Sequence, residues 1–171
     1  MDLRFVAPDL RALDEHPAEV IACCVWSDER PLRGLAGLLD WRLAGRVSKL
    51  AKAHFVNGDV GEVVCMQGKP RLPFDKVLLV GAGVRAEFDA EACRRATGAL
   101  LHTLEGLHVK RAVVELPGRS GDRIAPELAA EIVLEATRES EAHDAWFLVE
   151  GAEAQAKIAS RANEERRRER T

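Results

Sequence analysis

The stretch that decides the fold of this chain is Lys76-Val77-Leu78-Leu79-Val80-Gly81-Ala82-Gly83. Four consecutive apolar residues, two of them β-branched, lead directly into Gly-Ala-Gly. An uninterrupted apolar run of this length is typical of a strand that is buried on both faces of a sheet. The glycines after it predict a tight turn that opens toward a helix. We therefore expect a central strand in an α/β sheet, with half of the fold on either side of it along the chain.

Further apolar runs predict strands, and they alternate with segments of helical periodicity. The strands are predicted at residues 3–7, 18–26, 61–67, 111–116 and 145–149, with 61–67 as an edge strand or hairpin arm. Helices are predicted at 32–38, 40–52, 89–107, 126–138 and 152–170, and residues 9–17 are expected to be irregular. Trp41 is expected to anchor its helix in the core. The alternation predicts an α/β fold with three layers, in which helices cover both faces of a mixed β-sheet.

The composition is that of an ordinary globular protein of 171 residues, with 47% hydrophobic residues, 31% charged residues and a net charge of −3. We expect one domain over residues 1–150, followed by a charged helical tail at 151–171. The overall charge gives no drive toward nucleic acid or anionic membranes. The sequence shows no apolar run of membrane-spanning length and no secretory leader, which predicts a cytoplasmic protein.

The residues that carry metal or acid–base chemistry are scattered along the chain. The cysteines form no C-x-x-C pair, and none of the five histidines has metal-binding spacing. In the charged tail, glutamates alternate with arginines, which predicts a solvated, ion-paired helix and makes nucleic-acid contact the less favoured alternative. We therefore expect no catalytic residues, no metal site and no cofactor.

Two glycine-containing loops are candidates for binding a small anionic ligand. The first loop offers backbone N–H groups and one cation, from Gly81, Ala82, Gly83 and Arg85. The second follows the next strand and comprises Gly118, Arg119, Ser120, Gly121 and Arg123. If the two strands are parallel neighbours, both loops emerge at the same edge of the sheet, where ligands of α/β proteins bind. The competing interpretation is a tight turn in the first case and a solvated polar loop in the second.

The order of the motifs resembles a known family. Residues 20–26 (VIACCVW), then Leu39-Asp40, then residues 55–62 (FVNGDVGE) and the stretch at 76–83 follow one another as in the N-terminal domain of the leucyl aminopeptidase (cytosol aminopeptidase) family. The resemblance covers roughly residues 3–150 and implies a macrodomain-like fold. Asn57-Gly58-Asp59 is also similar to a macrodomain tripeptide, although the same residues are a common turn.

The resemblance also implies a function. In that family the two metals and the Asn-Thr-Asp-x-x-Gly-Arg signature belong to a C-terminal catalytic domain, and this sequence contains no such motif. It therefore implies a stand-alone, non-catalytic assembly, regulatory or protein-interaction module. The partner would be an aminopeptidase catalytic chain or a second copy of the chain. The alternative is a macrodomain-like binder of a nucleotide or an ADP-ribose-type ligand, using the two loops.

Overall fold

Six strands and six α-helices make up the part of the chain that the computed structural model describes, residues 1–16 and 18–169. The strands are β1 (Asp2–Val6), β2 (Val20–Trp26), β3 (Val63–Gln67), β4 (Lys76–Gly83), β5 (Arg111–Val114) and β6 (Ala145–Val149). The helices are α1 (Leu10–Asp14), α2 (Gly34–Arg42), α3 (Arg46–Lys52), α4 (Ala90–Gly106), α5 (Pro126–Thr137) and α6 (Ala152–Glu169). Within these ranges, no helix is long and apolar enough to cross a membrane.

The sheet is mixed, with the strand order β1-β6-β5-β2-β4-β3. Every neighbouring pair is parallel except β3–β4, which is antiparallel and places β3 at an edge as predicted. β4 lies second from that edge, whereas β2 and β5 occupy the middle. A wholly apolar run indicates that a strand is buried on both faces of the sheet. It does not show whether the strand lies in the middle of the sheet or next to an edge strand.

Helices cover both faces of this sheet, which confirms the three-layer α/β fold. Successive residues of β2 point to opposite faces. Ala22 and Cys24 pack with residues of α4, α5 and α6. Ile21 and Cys23 pack with residues of α1, α2 and α3. Both cores are built around the same strands, so the carboxyl ends of β2, β4, β5 and β6 are held along one edge.

The glycines at the end of β4 form strand, and the expected tight turn at Gly81-Ala82-Gly83 is wrong. The backbone N–H of Gly81 donates to Glu62 O, and that of Gly83 donates to Gly58 O, both at 2.7 Å. A Cβ on Gly81 would lie 1.9 Å from the carbonyl oxygen of Asp59. Glycine is therefore required at position 81, because another segment of backbone crosses closely above the strand. Gly83 has a φ of +80°, and a Cβ there would lie 2.6 Å from the Val60 side chain.

Three further local expectations change. Trp41 is 74% exposed and anchors nothing in the core. Residues 9–17 include the short helix α1, which the side chain of Asp9 caps through Ala12 N, while Pro17 lies outside the described residues. The break between α2 and α3 comes later than expected, at a left-handed Gly45. Asp40 holds this junction by accepting hydrogen bonds from the backbone and hydroxyl of Ser48.

The charged tail forms α6 as far as Glu169, and residues 170–171 lie outside the described chain. Its beginning is part of the core, because Ile158 is buried against the same cluster as β6. The start of α4 agrees with the sequence prediction, because the side chain of Asp89 caps this helix by accepting a hydrogen bond from Ala92 N at 2.8 Å.

Candidate functional site

A cleft of about 870 Å³ opens at the carboxyl ends of β5 and β6. The first turns of α2 and α6 form two of its walls, and the loop after β5 forms a third. Two acids, Glu115 and Glu150, directly follow the strands and are buried at this edge. Parallel α/β sheets bind their ligands at this edge because the loops diverge there. We refer to this cavity as the carboxyl-edge cleft.

The loop after β5 contributes three of its predicted residues to the cleft, namely Arg119, Ser120 and Gly121. Gly118 lies behind the lining, and a Cβ there would come within 2.1 Å of the Phe88 ring. Arg123 is exposed and is not among the residues that line the cleft.

The residues predicted around the end of β4 lie elsewhere. Gly81, Ala82 and Gly83 are buried within β4, and β2 separates that strand from β5. The two strands are therefore parallel but not neighbours. The two loops still meet, because a Cβ on Gly121 would lie 2.9 Å from a guanidinium nitrogen of Arg85.

Arg119 is bound within the protein. Its Nε donates to Glu150 Oε1 at 2.6 Å and its Nη2 donates to Glu150 Oε2 at 3.2 Å. Its Nη1 donates to the carbonyl oxygen of Ile124 at 2.7 Å and lies 3.1 Å from Asp122 Oδ1. Burial is the largest single influence and opposes the charge of Arg119, but the hydrogen bonds and negative charges of Glu150 and Asp122 together outweigh it and raise the pKa of the guanidinium. The arginine is thus a structural tie between the β5 loop and β6.

Arg85 is also paired with acids of the protein. Its Nη1 lies 3.0 Å from Glu29 Oε2, and its backbone N–H donates to Asp28 Oδ1 at 3.1 Å. Both acids come from the loop after β2. The structure therefore brings two of the three predicted cations, Arg85 and Arg119, to the expected edge, but it pairs each of these two with a carboxylate.

Glu115 is an acid of the cleft that sequence reasoning missed, as is Glu150. It is only 7% exposed, and its Oε1 accepts a hydrogen bond from Cys24 N at 3.0 Å. Burial raises the pKa of Glu115 to about 7, with Glu150 and Glu29 adding to the effect and the backbone N–H groups of Cys24 and Leu35 opposing it. The available signal was an acidic residue at the carboxyl end of an apolar strand.

A second surface that sequence reasoning missed lies on α2 and α3. Residues 30–56 contain six Arg or Lys and one Asp, giving +5 in a chain of −3. Two aromatic rings are exposed there, Trp41 at 74% and Phe55 at 65%. We call this surface the basic face. Its cations that are exposed and form no ion pair with any described residue are Arg30, Arg33, Arg46, Lys49 and Lys52. The local charge imbalance of residues 30–56 is visible in the sequence.

No group of three or more His, Cys, Asp or Glu side chains within residues 1–16 and 18–169 is arranged to hold a metal ion. Cys23, Cys24 and Cys93 are buried, and burial raises the pKa of each thiol.

Comparison with known proteins identifies relatives of this fold. The cytosol aminopeptidase family, N-terminal domain, matches residues 20–145. The probable cytosol aminopeptidase of Alkaliphilus oremlandii is 25% identical over 124 residues, which are 72% of this chain and 24% of that protein. The chain thus spans about a quarter of the length of that curated relative.

Solved structures share the fold at low sequence identity. A tomato leucine aminopeptidase variant has a TM-score of 0.66 and 15% identity, covering 93% of this chain and 35% of that one. The Trypanosoma brucei macrodomain in complex with ADP-ribose has a TM-score of 0.70 and 18% identity, covering 92% and 67%. Since the family match runs from the start of β2 to the start of β6, this chain belongs to the cytosol aminopeptidase family, where it corresponds to the N-terminal domain.

Proposed function

We propose that this chain acts by binding, as a non-catalytic assembly or regulatory module for an aminopeptidase catalytic chain. The observation that carries the proposal is the basic face, because residues 30–56 combine two exposed aromatic rings with exposed cations that form no ion pair with a described residue. Large exposed aromatic side chains are uncommon on a surface that only meets water, and Trp, Tyr and Arg dominate the energetics of protein interfaces. The cytosolic relatives support a cytoplasmic place of action.

The charge of the face indicates an acidic protein surface as its partner. The remainder of the chain carries −8, which is −3 minus the +5 of residues 30–56. At seven residues α3 is about 10 Å long, so a long nucleic acid would extend beyond it. It would then meet the remainder of the chain, whose net charge is negative like that of the phosphates. A compact acidic face on a protein avoids that repulsion. A second copy of the chain is the competing partner, since its acidic remainder also complements the basic face.

Affinity capture from the cell's own lysate tests this proposal. The wild-type chain is compared with a triple variant of α3, Arg46→Glu, Lys49→Glu and Lys52→Glu. A matched triple variant reverses three exposed cations away from that helix, Arg95→Glu, Lys110→Glu and Arg111→Glu. We expect an aminopeptidase catalytic chain with the wild type and the matched control, and none with the α3 variant. Equal capture by all three proteins, or capture of no catalytic chain, contradicts the proposal.

The carboxyl-edge cleft favours a second function, the binding of a small molecule. A volume of about 870 Å³ is within the range of small-ligand sites. One macrodomain of the same fold is known in complex with ADP-ribose, so nucleotides and ADP-ribose are the first ligands to test. The loop residues Arg119, Ser120 and Gly121 would contact such a ligand in the cleft. Calorimetry with these compounds tests this function: binding heat supports a nucleotide-type ligand, and the absence of heat at millimolar ligand contradicts an anionic one.

A further inference from the structure

The carboxyl-edge cleft holds more negative than positive side chains. Its cations are only two, Arg119 and Lys157, and its carboxylates outnumber them. The acids that line it are Glu115, Asp122, Glu150 and Glu153. A nucleoside diphosphate would enter this cleft against the excess of like charge.

Both cations of the cleft already have acidic partners. Arg119 forms the two-pronged bond to Glu150 and also contacts Asp122. Lys157 Nζ lies 2.8 Å from Glu153 Oε1, one turn earlier on α6. An anionic ligand would have to displace a carboxylate of the protein to reach either cation.

The N-termini of the helices at the cleft also have acidic side chains of the protein beside them. The first turn of α2 lacks a side-chain cap of its own, and Glu115 accepts from the backbone N–H of Leu35 in that turn. The first turn of α6 carries Glu153. Helix N-termini attract anions because their N–H groups are unpaired. Here a carboxylate of the protein is present at each of them, which reduces the attraction for an anionic ligand.

Glu115 is the carboxylate of the cleft that pairs with no cationic side chain of residues 1–16 and 18–169. The charged and titratable groups packed near it are Glu150 after β6, Glu29 from the loop after β2, and the thiols of Cys23 and Cys24. Glu150 and Glu29 disfavour a negative charge on Glu115, and the neutral thiols of Cys23 and Cys24 bring no positive charge to it. A buried carboxylate in this position is stabilised most by a cation that enters from the cleft.

We propose that the carboxyl-edge cleft binds a small molecule with a cationic nitrogen, a primary ammonium or an amidinium, which pairs with Glu115. This ligand class rests on the small-molecule function proposed for the cleft. The pairing requires the ionised form of Glu115. Since the pKa of Glu115 lies near 7, binding of an amine strengthens about tenfold from pH 6 to pH 8.

Calorimetry at pH 6 and pH 8 tests the proposal with benzylamine, benzamidine and agmatine as cationic probes. Benzyl alcohol is the neutral control, and ADP-ribose is the anionic one. We expect the cationic probes to bind more tightly at pH 8 and more tightly than benzyl alcohol. Glu115→Gln should abolish their binding. Glu139→Gln, an exposed acid that does not line the cleft, should retain it.

The outcomes separate the ligand class from the cleft function. Binding of ADP-ribose without binding of the amines overturns the ligand class and leaves the cleft function standing. Binding of none of the probes at millimolar concentration overturns both. If Glu115→Gln binds the amines as tightly as the wild type does, the role of Glu115 is overturned. Equal affinity of the wild type for the amines at pH 6 and pH 8 overturns it as well. The pH comparison uses wild-type protein only, so it stands even if Glu115→Gln fails to fold.

Discussion

Glu115 gives the stability of the chain a specific dependence on pH. Its pKa is about 7 in the folded protein and near 4.5 when the chain unfolds, so the folded state binds this proton more tightly. The resulting stabilisation is complete below pH 4.5, decreases as the pH rises toward 7, and is absent above it. The difference amounts to at most about 3 kcal/mol.

We therefore expect the free energy of unfolding of the wild type to fall more steeply between pH 5 and pH 8 than that of Glu115→Gln. The amide side chain of that variant does not titrate, so the comparison isolates this one group from the other acids. Urea unfolding at several pH values measures both slopes. Parallel slopes for the two proteins would show that Glu115 does not titrate in this range.

The buried pair of Arg119 and Glu150 makes a second prediction at the same scale. Arg119→Met leaves the carboxylate of Glu150 buried without its partner, which should cost about 3–5 kcal/mol of unfolding free energy. Arg123→Met, four residues later and exposed, should change it by less than about 0.5 kcal/mol. Chemical denaturation of the two variants measures the difference, and equal losses would contradict the structural role of the pair.

Among the elements, β4 depends on the absence of a side chain at Gly81. Gly81→Ala places a Cβ against the carbonyl of Asp59 and should destabilise the chain by several kcal/mol. Gly98→Ala is the matched control, because Gly98 is on the exposed side of α4 with nothing within 4 Å. That substitution should stabilise the chain by about 0.5–1 kcal/mol through helix propensity. Thermal unfolding of both variants distinguishes the two effects, and tolerance of Gly81→Ala would refute the close crossing.

Helices and strands could be predicted where the signal, apolar periodicity or a capping residue, lies within the element's own stretch of sequence. The apolar runs predicted each of the strands in the described part of the chain, and Asp89 marked the start of α4. The end of β4 was not predictable, because its conformation depends on the segment at 58–62 that crosses it. Trp41 was misassigned because its position on α2 suggests packing, while only the finished fold shows that this side faces water.

At the scale of the whole molecule, the position of the cleft followed from strand direction, but its charges did not. The sequence indicated that loops after parallel strands share an edge, and Arg119, Ser120 and Gly121 lie there. The partner of Arg119 is 31 residues away, at the end of a strand that becomes a neighbour only in the sheet. The pairing of Arg119 is therefore a property of the assembled fold, whereas that of Lys157 with Glu153 is local to α6.

The basic face gives the molecule a spectroscopic signature. Trp41 is highly exposed, whereas Trp26 and Trp146 are buried. We expect acrylamide to quench the emission of Trp41 selectively, and Trp41→Phe to remove the quenchable fraction. A partner that covers the basic face should protect Trp41 from quenching. Quenching that is unchanged in Trp41→Phe would contradict the exposure on which this signature rests.

The most direct test of the binding role is the affinity of the purified chain for the captured catalytic chain, measured for two truncations. Trp41→Ala should weaken binding at least about tenfold, because truncating a central aromatic anchor of an interface costs about 2 kcal/mol or more. Leu107→Ala removes a partly exposed apolar side chain at the end of α4, away from the basic face, and should leave the affinity unchanged. Equal affinities for wild type and Trp41→Ala would contradict the account.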